Sequence, residues 1–548
     1  DAFECARAEN KPVFLSSGGV WCHWCHVMAQ ETFADDEVAA ILNQHFISIK
    51  LDRDERPDID RRYQQASALM GNQGGWPLSI FLTADRQPFF GGTYFPPDDR
   101  YGRPGFRKIL RSVQEFYQTR AGDAEQFGSR LIEALAPEAL APGDLDKPAL
   151  LRAEETMLEH YDAENGGFGK APKFPMPGVL EFLVRCAAAG STAAAEAVKR
   201  TLDAMAAGGV HDHLAGGFHR YSVDEGWIIP HFEKMADDNA WLLRNYLDAY
   251  GLFGEERYRA VAEGVIDFVR ETLSDPDGGF FASQDADVTP DDEGGYFTWT
   301  DEEVKQLLTD EEYQVLSLRF FHGRGRMHHA PDKRVLCQAR EMPEIAAELK
   351  LPLARVQESL DQGRRKLLQT RKERETPFID RTLYTSLNCM FITSFLKAFR
   401  LLGRTDCRDF ALKSLDRMLR ERVRDGKVLH AEGVAGLLDD HVHLIEALIA
   451  AYEATAERRY LDRSRALMDA CLEQFGDPAG GFYDTDDVVL GTRLMGIEDI
   501  PHPSANGIAV LQLLKLYALT GREEYRAAAE ASLRIFTDKV TGISIHGG

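Results

Sequence analysis

The chain has 548 residues, with 44% hydrophobic and 28% charged side chains, which is enough apolar material for large cores and too much for a disordered chain. Its formal net charge is −24, and residues 1–120 carry 14 Lys and Arg against 16 Asp and Glu, so nearly all the surplus acid lies beyond them. Such a surface repels phosphate backbones and anionic lipid, which argues against nucleic acid as a partner, and no apolar run approaches the roughly 18 residues that a membrane-spanning helix needs.

In chain order, "KPVFLS" at 11–16 predicts a short buried strand, and "HVMAQETFADDEVAAILNQHF" at 26–46 predicts a helix broken near Asp35. "ISIKLD" (47–52) is a second strand, "DIDRRYQQASALM" (58–70) a helix, "LSIFLTA" (78–84) a third strand and "QPFFGGTYF" (87–95) a fourth, before a closing helix at 104–119. This order predicts an α/β layer over residues 1–122. Residues 123–148 contain a short helical stretch and then the Pro-rich "LAPEALAPGDLDKPAL", read as a linker.

From residue 149 onward strand signals fade. Helices are expected at 148–161, 178–189, 192–208, 237–251, 255–273, 352–374, 383–401, 405–422, 439–455, 457–474, 505–520 and 522–540. Between them recur "DAENGGF" (162–168), "HLAGGF" (213–218), "DPDGGF" (275–280), "DDEGGY" (291–296) and "DPAGGF" (477–482), each a Gly pair that permits a tight reversal before a ring. Asp or Asn stands where alternate helices begin, at Asp238, Asn239, Asn388, Asp439, Asp440 and Asn506, in position to cap them. Paired helices with polar loops of varied length predict a closed (α/α)6 toroid rather than an open solenoid.

The first strand-to-helix turn carries "GGVWCHWCHVMAQ" at 18–30. Its C-x-x-C spacing fits a redox dithiol, a structural pair, a metal site or, through His26, a haem attachment. Zinc lacks a second ligand pair, and a strand-helix turn is a poor setting for an attached haem, so the dithiol reading is preferred and neither metal nor cofactor is expected. At a helix start the Cys22 thiolate gains from backbone N–H groups, with Cys25 one turn on to resolve a mixed disulfide. His23 and His26 are placed to tune that thiolate. Trp21, Trp76 and Pro77, the last in "GGWPLSIFL" where a cis peptide bond would present backbone, complete the expected substrate side. Eight cysteines in so long a chain favour a reducing compartment, the cytoplasm; the first residue is Asp, so a removed targeting peptide is left open.

"CHWCHVM", "DRDERPDIDRRY", "GGWPLSIFLT", "PFFGGTYFPP", "GGFGKAPKFP", "GGFHRYSVDEGWIIPHFEKMADDNA", "LDDHVHLIEALIAAYEAT" and "PSANGIAVLQLL" resemble the YyaL-type thioredoxin-domain-containing family, which includes the vertebrate spermatogenesis-associated proteins 20. The likeness runs through nearly the whole chain. It implies a thioredoxin-like domain followed by a six-hairpin (α/α)6 barrel, similar to those of N-acylglucosamine 2-epimerases and six-hairpin glycosidases. The chain departs from the family pattern at Leu387 and Cys389, which flank Asn388 where Trp and Gly are usual, and at Ala236 and Asp237.

The densest polar stretch of the barrel is 216–239. If "PHFE" is extended, His231 and Glu233 project to one side, and Arg220, Tyr221 and Trp227 on the same connection offer charge and rings to a sugar. Asp285, Asp287 and Asp440 add carboxylates for acid-base work, and Asn239 and Asn506 are further candidate sugar contacts; the competing reading is a salt-bridged brace at the barrel mouth. His441 and His443 lie about 200° apart on a helix and do not converge on one ion. Three functions follow: thiol-disulfide exchange with a protein disulfide or dithiol, sugar epimerisation, isomerisation or hydrolysis in the barrel, or a glycan- or protein-binding module with a structural dithiol.

Overall fold

In the computed structural model, which describes residues 1–540 except 101, 137–141, 145–146, 290–291, 322, 329, 425 and 501, strand β1 (Val13–Gly18) is buried along its whole length. It pairs in parallel with β2 (Ile47–Asp52) and antiparallel with β3 (Leu78–Leu82), which pairs antiparallel with β4 (Pro88–Gly92), giving the order β2-β1-β3-β4. Alternation along β1 and β3 sorts two cores. Phe14 and Phe81 pack with Val38 and Leu42 of α3 (Asp36–His45) and with Phe106 and Leu110 of α5 (Phe106–Ala134). Val13, Leu15, Ile80 and Leu82 pack on the other face with Ala6 of α1 (Ala2–Glu9) and Tyr63 of α4 (Pro57–Leu69).

The expected break near Asp35 is present: residues 28–33 form a π turn after the short α2 (His23–Val27), and Asp35 caps α3 by accepting from the Glu37 and Val38 N–H groups at 3.1 and 3.0 Å. The closing helix, expected to end at 119, continues to Ala134 across non-helical backbone at Arg120, so the helical stretch expected after 123 is present but joined to it. Of that linker, 137–141 and 145–146 lie outside the described residues.

The chain divides into two units, Asp1–Ala139 with Tyr483–Met495, and Leu140–Phe482 with Gly496–Gly548. No sequence signal had joined 483–495 to the first unit. Leu490 completes the core around Val13 and Leu15, Arg61 pairs with Asp484 at 2.6 Å, and Arg62 donates to Thr492 Oγ1 at 2.8 Å.

In the second unit, α6 (Lys147–Glu159) packs on α7 (Pro177–Ala188) and α8 (Thr192–Ala207), and α9 (Ala236–Phe253) is followed by α10 (Glu256–Thr272). Sequence periodicity indicated only one helix before the next pair. The structure inserts α11 (Asp301–Leu307), α12 (Asp310–Leu316), α13 (Met342–Leu349) and α14 (Leu353–Glu373), which share a separate core of Trp299, Val315, Leu316, Ile345, Val356 and Leu367. Then follow α15 (Thr385–Leu402), α16 (Thr405–Glu421), α17 (Leu438–Thr455), α18 (Arg458–Phe475), α19 (Ala505–Thr520) and α20 (Glu523–Val540). All twelve expected helices are present, within two residues at either end.

Helices α7, α9, α15, α17 and α19 are neighbours in that order, and each packs on the helix that follows it in the ring, α8, α10, α16, α18 and α20. The inner helices α9, α15 and α17 are buried on nearly every side, whereas α10 and α16 bury one stripe and expose the other. This is a helical toroid.

Three of the Gly-Gly-aromatic turns enter it by one device. Phe218, Phe280 and Phe482 are buried, and Asn239, Asn388 and Asn506 each bracket one of them, accepting from its N–H and donating to its carbonyl at 2.7–3.0 Å. These asparagines therefore brace loops instead of capping their own helices. The N-cap of α19 is Ser504, which accepts from the Gly507 N–H. Of the turn at 291–296, residue 291 lies outside the described residues. Among the described residues no helix is long and apolar enough to cross a membrane.

Candidate functional site

Strand β1 ends at Gly18, and the chain turns through Trp21 so that Cys22 is the N-cap of α2. Cys22 and Cys25 form a disulfide with Cα atoms 5.2 Å apart, and the Cys22 sulfur also accepts from the Cys25 N–H at 3.2 Å. Each is only 5% exposed, while Trp24 between them is 43% exposed. A Cβ on Gly18 would lie 2.5 Å from Cys25 Sγ, so glycine is the residue this approach admits.

In the same unit, Trp21 donates its indole N–H to Asp54 at 2.6 Å and Trp76 donates to Asp60 at 3.1 Å, with the two rings 5.6 Å apart and the Arg53 guanidinium 4.8 Å over Trp76. The Trp76–Pro77 peptide is cis, and Pro77 leads directly into β3. His23 is buried edge-on against Trp24, and a His26 ring nitrogen lies 2.8 Å from the Val20 carbonyl.

In the second unit the residues 230–231 are extended, as is 234–235, and the connection brings the expected acid-base residues together. His231 Nδ1 is 2.6 Å from Glu233 Oε2, its Nε2 is 3.6 Å from Glu293, and Arg220 approaches Glu233 at 3.9 Å. The Tyr221 ring stacks on His231 at 5.0 Å, and Phe174 stacks on Tyr221 at 4.7 Å. Burial opposes charge on His231, but Glu233 and Glu293 outweigh it and lift the imidazole to about 9. Burial likewise opposes charge on Glu233, yet His231 and Arg220 hold its carboxyl below the usual range. Asp285 goes the other way: burial and then the Asp287 charge raise it to about 7. Glu293 is a partner that sequence reading missed.

Four candidates do not join this cluster. Trp227 is fully buried, donates to the Gly166 carbonyl at 3.2 Å and has a φ of 63°, a core role in place of sugar stacking. Asn239 and Asn506 have their amides committed to Phe218 and Phe482, so neither is available to a substrate. Asp440 accepts from the Ser386 and Leu437 N–H groups and lies 3.0 Å from His430 Nδ1, which makes it a structural junction. His211 and His213 lie with ring centres 5.0 Å apart, but among the described residues no three His, Cys, Asp or Glu side chains are grouped to hold a metal ion.

Sequence reading also missed a polar cluster on the inner helices. Trp241 and Arg244 of α9, His443 and Glu446 of α17, and His502 ahead of α19 come together: the Trp241, His443 and His502 rings stand 6.2–6.3 Å apart, Arg244 lies 4.1 Å over Trp241, and Arg244 donates to Glu446. The signal was available. Trp241 with Arg244, and His443 with Glu446, are i,i+3 pairs that share a helix face.

Residues 1–136 match the family model Thioredox_DsbH, whose description reads "Protein of unknown function, DUF255". Spermatogenesis-associated protein 20 of Homo sapiens is 33% identical over 599 residues, covering 100% of this chain and 76% of its own length; the uncharacterized protein B0495.5 of Caenorhabditis elegans is 35% identical over 595 residues, covering 100% and 80%. The chain belongs to the spermatogenesis-associated protein 20 family. Among solved structures, this family member is similar in fold to the cellobiose 2-epimerase of Bacillus thermoamylovorans (10% identity, TM-score 0.46, 72% of this chain and 87% of that one). It is also similar to the GH76 α-mannanase BT2949 of Bacteroides thetaiotaomicron (10%, TM-score 0.42, 70% and 82%).

Proposed function

We propose that the protein catalyses thiol-disulfide exchange through Cys22 and Cys25 with a protein disulfide or dithiol. The observation that carries this reading is the pair itself, closed as a disulfide at a strand-to-helix turn with the Cys22 sulfur facing a backbone N–H. In the reduced form the Cys22 thiolate attacks a substrate disulfide and one substrate sulfur leaves as thiolate. Cys25 then attacks Cys22 in the mixed disulfide, releasing the second substrate sulfur; two electrons have passed to the substrate and the Cys22–Cys25 bond is restored. The remaining six cysteines are free thiols, four of them buried, which supports a reducing compartment such as the cytoplasm. Equilibration with reduced and oxidised glutathione, followed by thiol trapping, tests the reading. A reversible two-electron couple that Cys22→Ser abolishes is expected; a pair that stays oxidised or reduced at every glutathione ratio would sink it.

A second reading concerns the helical unit: proton transfer on a carbohydrate at the His231 cluster. It is favoured by two buried carboxyls pushed apart, with Asp285 near 7 and Glu233 ionised, so that an acid and a base coexist at neutral pH beside the Tyr221 ring. A panel of reducing sugars and oligosaccharides, assayed for isomer formation and bond cleavage, tests it. Turnover that falls about 100-fold or more in Asp285→Asn and Glu233→Gln supports the reading; turnover indifferent to both substitutions, or none with any sugar, removes it.

A further inference from the structure

The cluster on the inner helices contains polar atoms with nothing to bond. Trp241, Arg244 and His443 are 1, 6 and 0% exposed, yet Trp241 Nε1, Arg244 Nη1 and His443 Nε2 have no hydrogen-bond partner among the described residues. On α19, which packs against α17, Gln512 is fully buried with both amide atoms unpartnered, and on α9 Asn245 leaves its carbonyl oxygen so. Buried polar groups in native proteins are almost always paired, because each unpaired one keeps the full penalty of losing water. Six such atoms on three of the inner helices, α9, α17 and α19, call for a partner that the chain does not supply.

We infer that the centre of the helical unit binds a neutral polyhydroxylated molecule. The charge balance argues for neutrality. Arg244 already donates to Glu446, and Glu181 and Asp248 add acid around it, so an anion would meet carboxylates and a cation would meet the guanidinium. The hydrogen-bond inventory argues for hydroxyls. Trp241 Nε1 and Arg244 Nη1 are donors. His443 has Nδ1 3.3 Å from Glu446, so the tautomer protonated there offers Nε2 as an acceptor, and Asp439 at 3.6 Å from Nε2 lies beyond hydrogen-bond reach. Gln512 offers one group of each kind. A hydroxyl both donates and accepts, and a ring bearing several meets this mixed set where a carboxylate or an ammonium does not.

This inference does not rest on the His231 reading, which concerns turnover at other residues. Isothermal titration of the full chain with D-glucose, myo-inositol and D-glucuronate tests it. Saturable binding of glucose or inositol is expected, with glucuronate weaker by about tenfold or more. Trp241→Phe keeps the ring and removes one donor, and should weaken binding about tenfold. If that variant does not fold, His443→Phe carries the same expectation. No saturable heat from either neutral probe would mean that the buried atoms are satisfied by water only and would overturn the proposal. Equal binding of glucuronate, or full binding by the substituted proteins, would overturn it too.

Discussion

Ionising Asp285 works against the fold. Burial and the Asp287 charge hold its carboxyl near 7, against 3.8 for a free carboxyl, so the stability tied to its proton is fully present below about 3.8 and is lost as pH rises through 7. The loss is up to about 4 kcal/mol. His231 behaves differently: raised to about 9, it contributes stability present below 6.5 and lost only as pH climbs through 9. Asp285→Asn cannot ionise, so its stability relative to the parent should rise between about pH 4 and pH 8. Urea unfolding at both pH values measures this, and a constant difference would refute the assignment. Beside the dithiol, Gly18→Ala places a methyl 2.5 Å from the Cys25 sulfur and is expected to lower the stability of the oxidised form by about 1–3 kcal/mol, read as a fall in Tm without reductant. At this scale His231 and Glu233 were legible, because Pro230 sets an extended segment and period two puts both on one side. Trp227 and Asn506 were not, since what occupies each side chain is contributed by a loop remote in sequence or by the turn before its helix.

Helices were legible where one physical signal ran long enough. α9, α15 and α17 are buried nearly all round because inner helices have no wet face, and α10 and α16 are amphipathic because they back the inner ring. α11 and α12 have seven residues each, too few for periodicity, although Thr300 with Glu303 and Thr309 with Glu312 spell capping boxes at their starts. The asparagine brace was half legible: its position at the head of three inner helices was plain, its partner was not. Asn388 pairs with Phe280 across 108 residues of sequence. Asn388→Ala strands the N–H and the carbonyl of Phe280 in the core and should cost about 2–4 kcal/mol. Denaturant titration checks this, and a loss below about 0.5 kcal/mol, the range of surface substitutions, would show that the brace carries no stability.

Across the whole molecule, the α/β order and the toroid were readable from composition and period, whereas the return of 483–495 to the first unit was not. That segment is short, polar at its start and without period, and its attachment depends on Leu490 meeting a core built from the first strand. Leu490→Ala should destabilise the first unit by about 2–4 kcal/mol. It should leave the second unit unchanged, so hydrogen exchange should quicken in β1 and β3 and hold steady in α15 and α17. Uniform quickening in both would refute the assignment.

The same attachment sets a timetable for a chain leaving the ribosome. Residues 1–139 emerge first, yet their sheet lacks Leu490 until everything from Leu140 to Phe482 has been made, roughly 20–70 s at ordinary elongation rates. Throughout that interval Cys22 and Cys25 belong to an unfinished domain, so the dithiol reaches its finished surroundings only after most of the helical unit has been made.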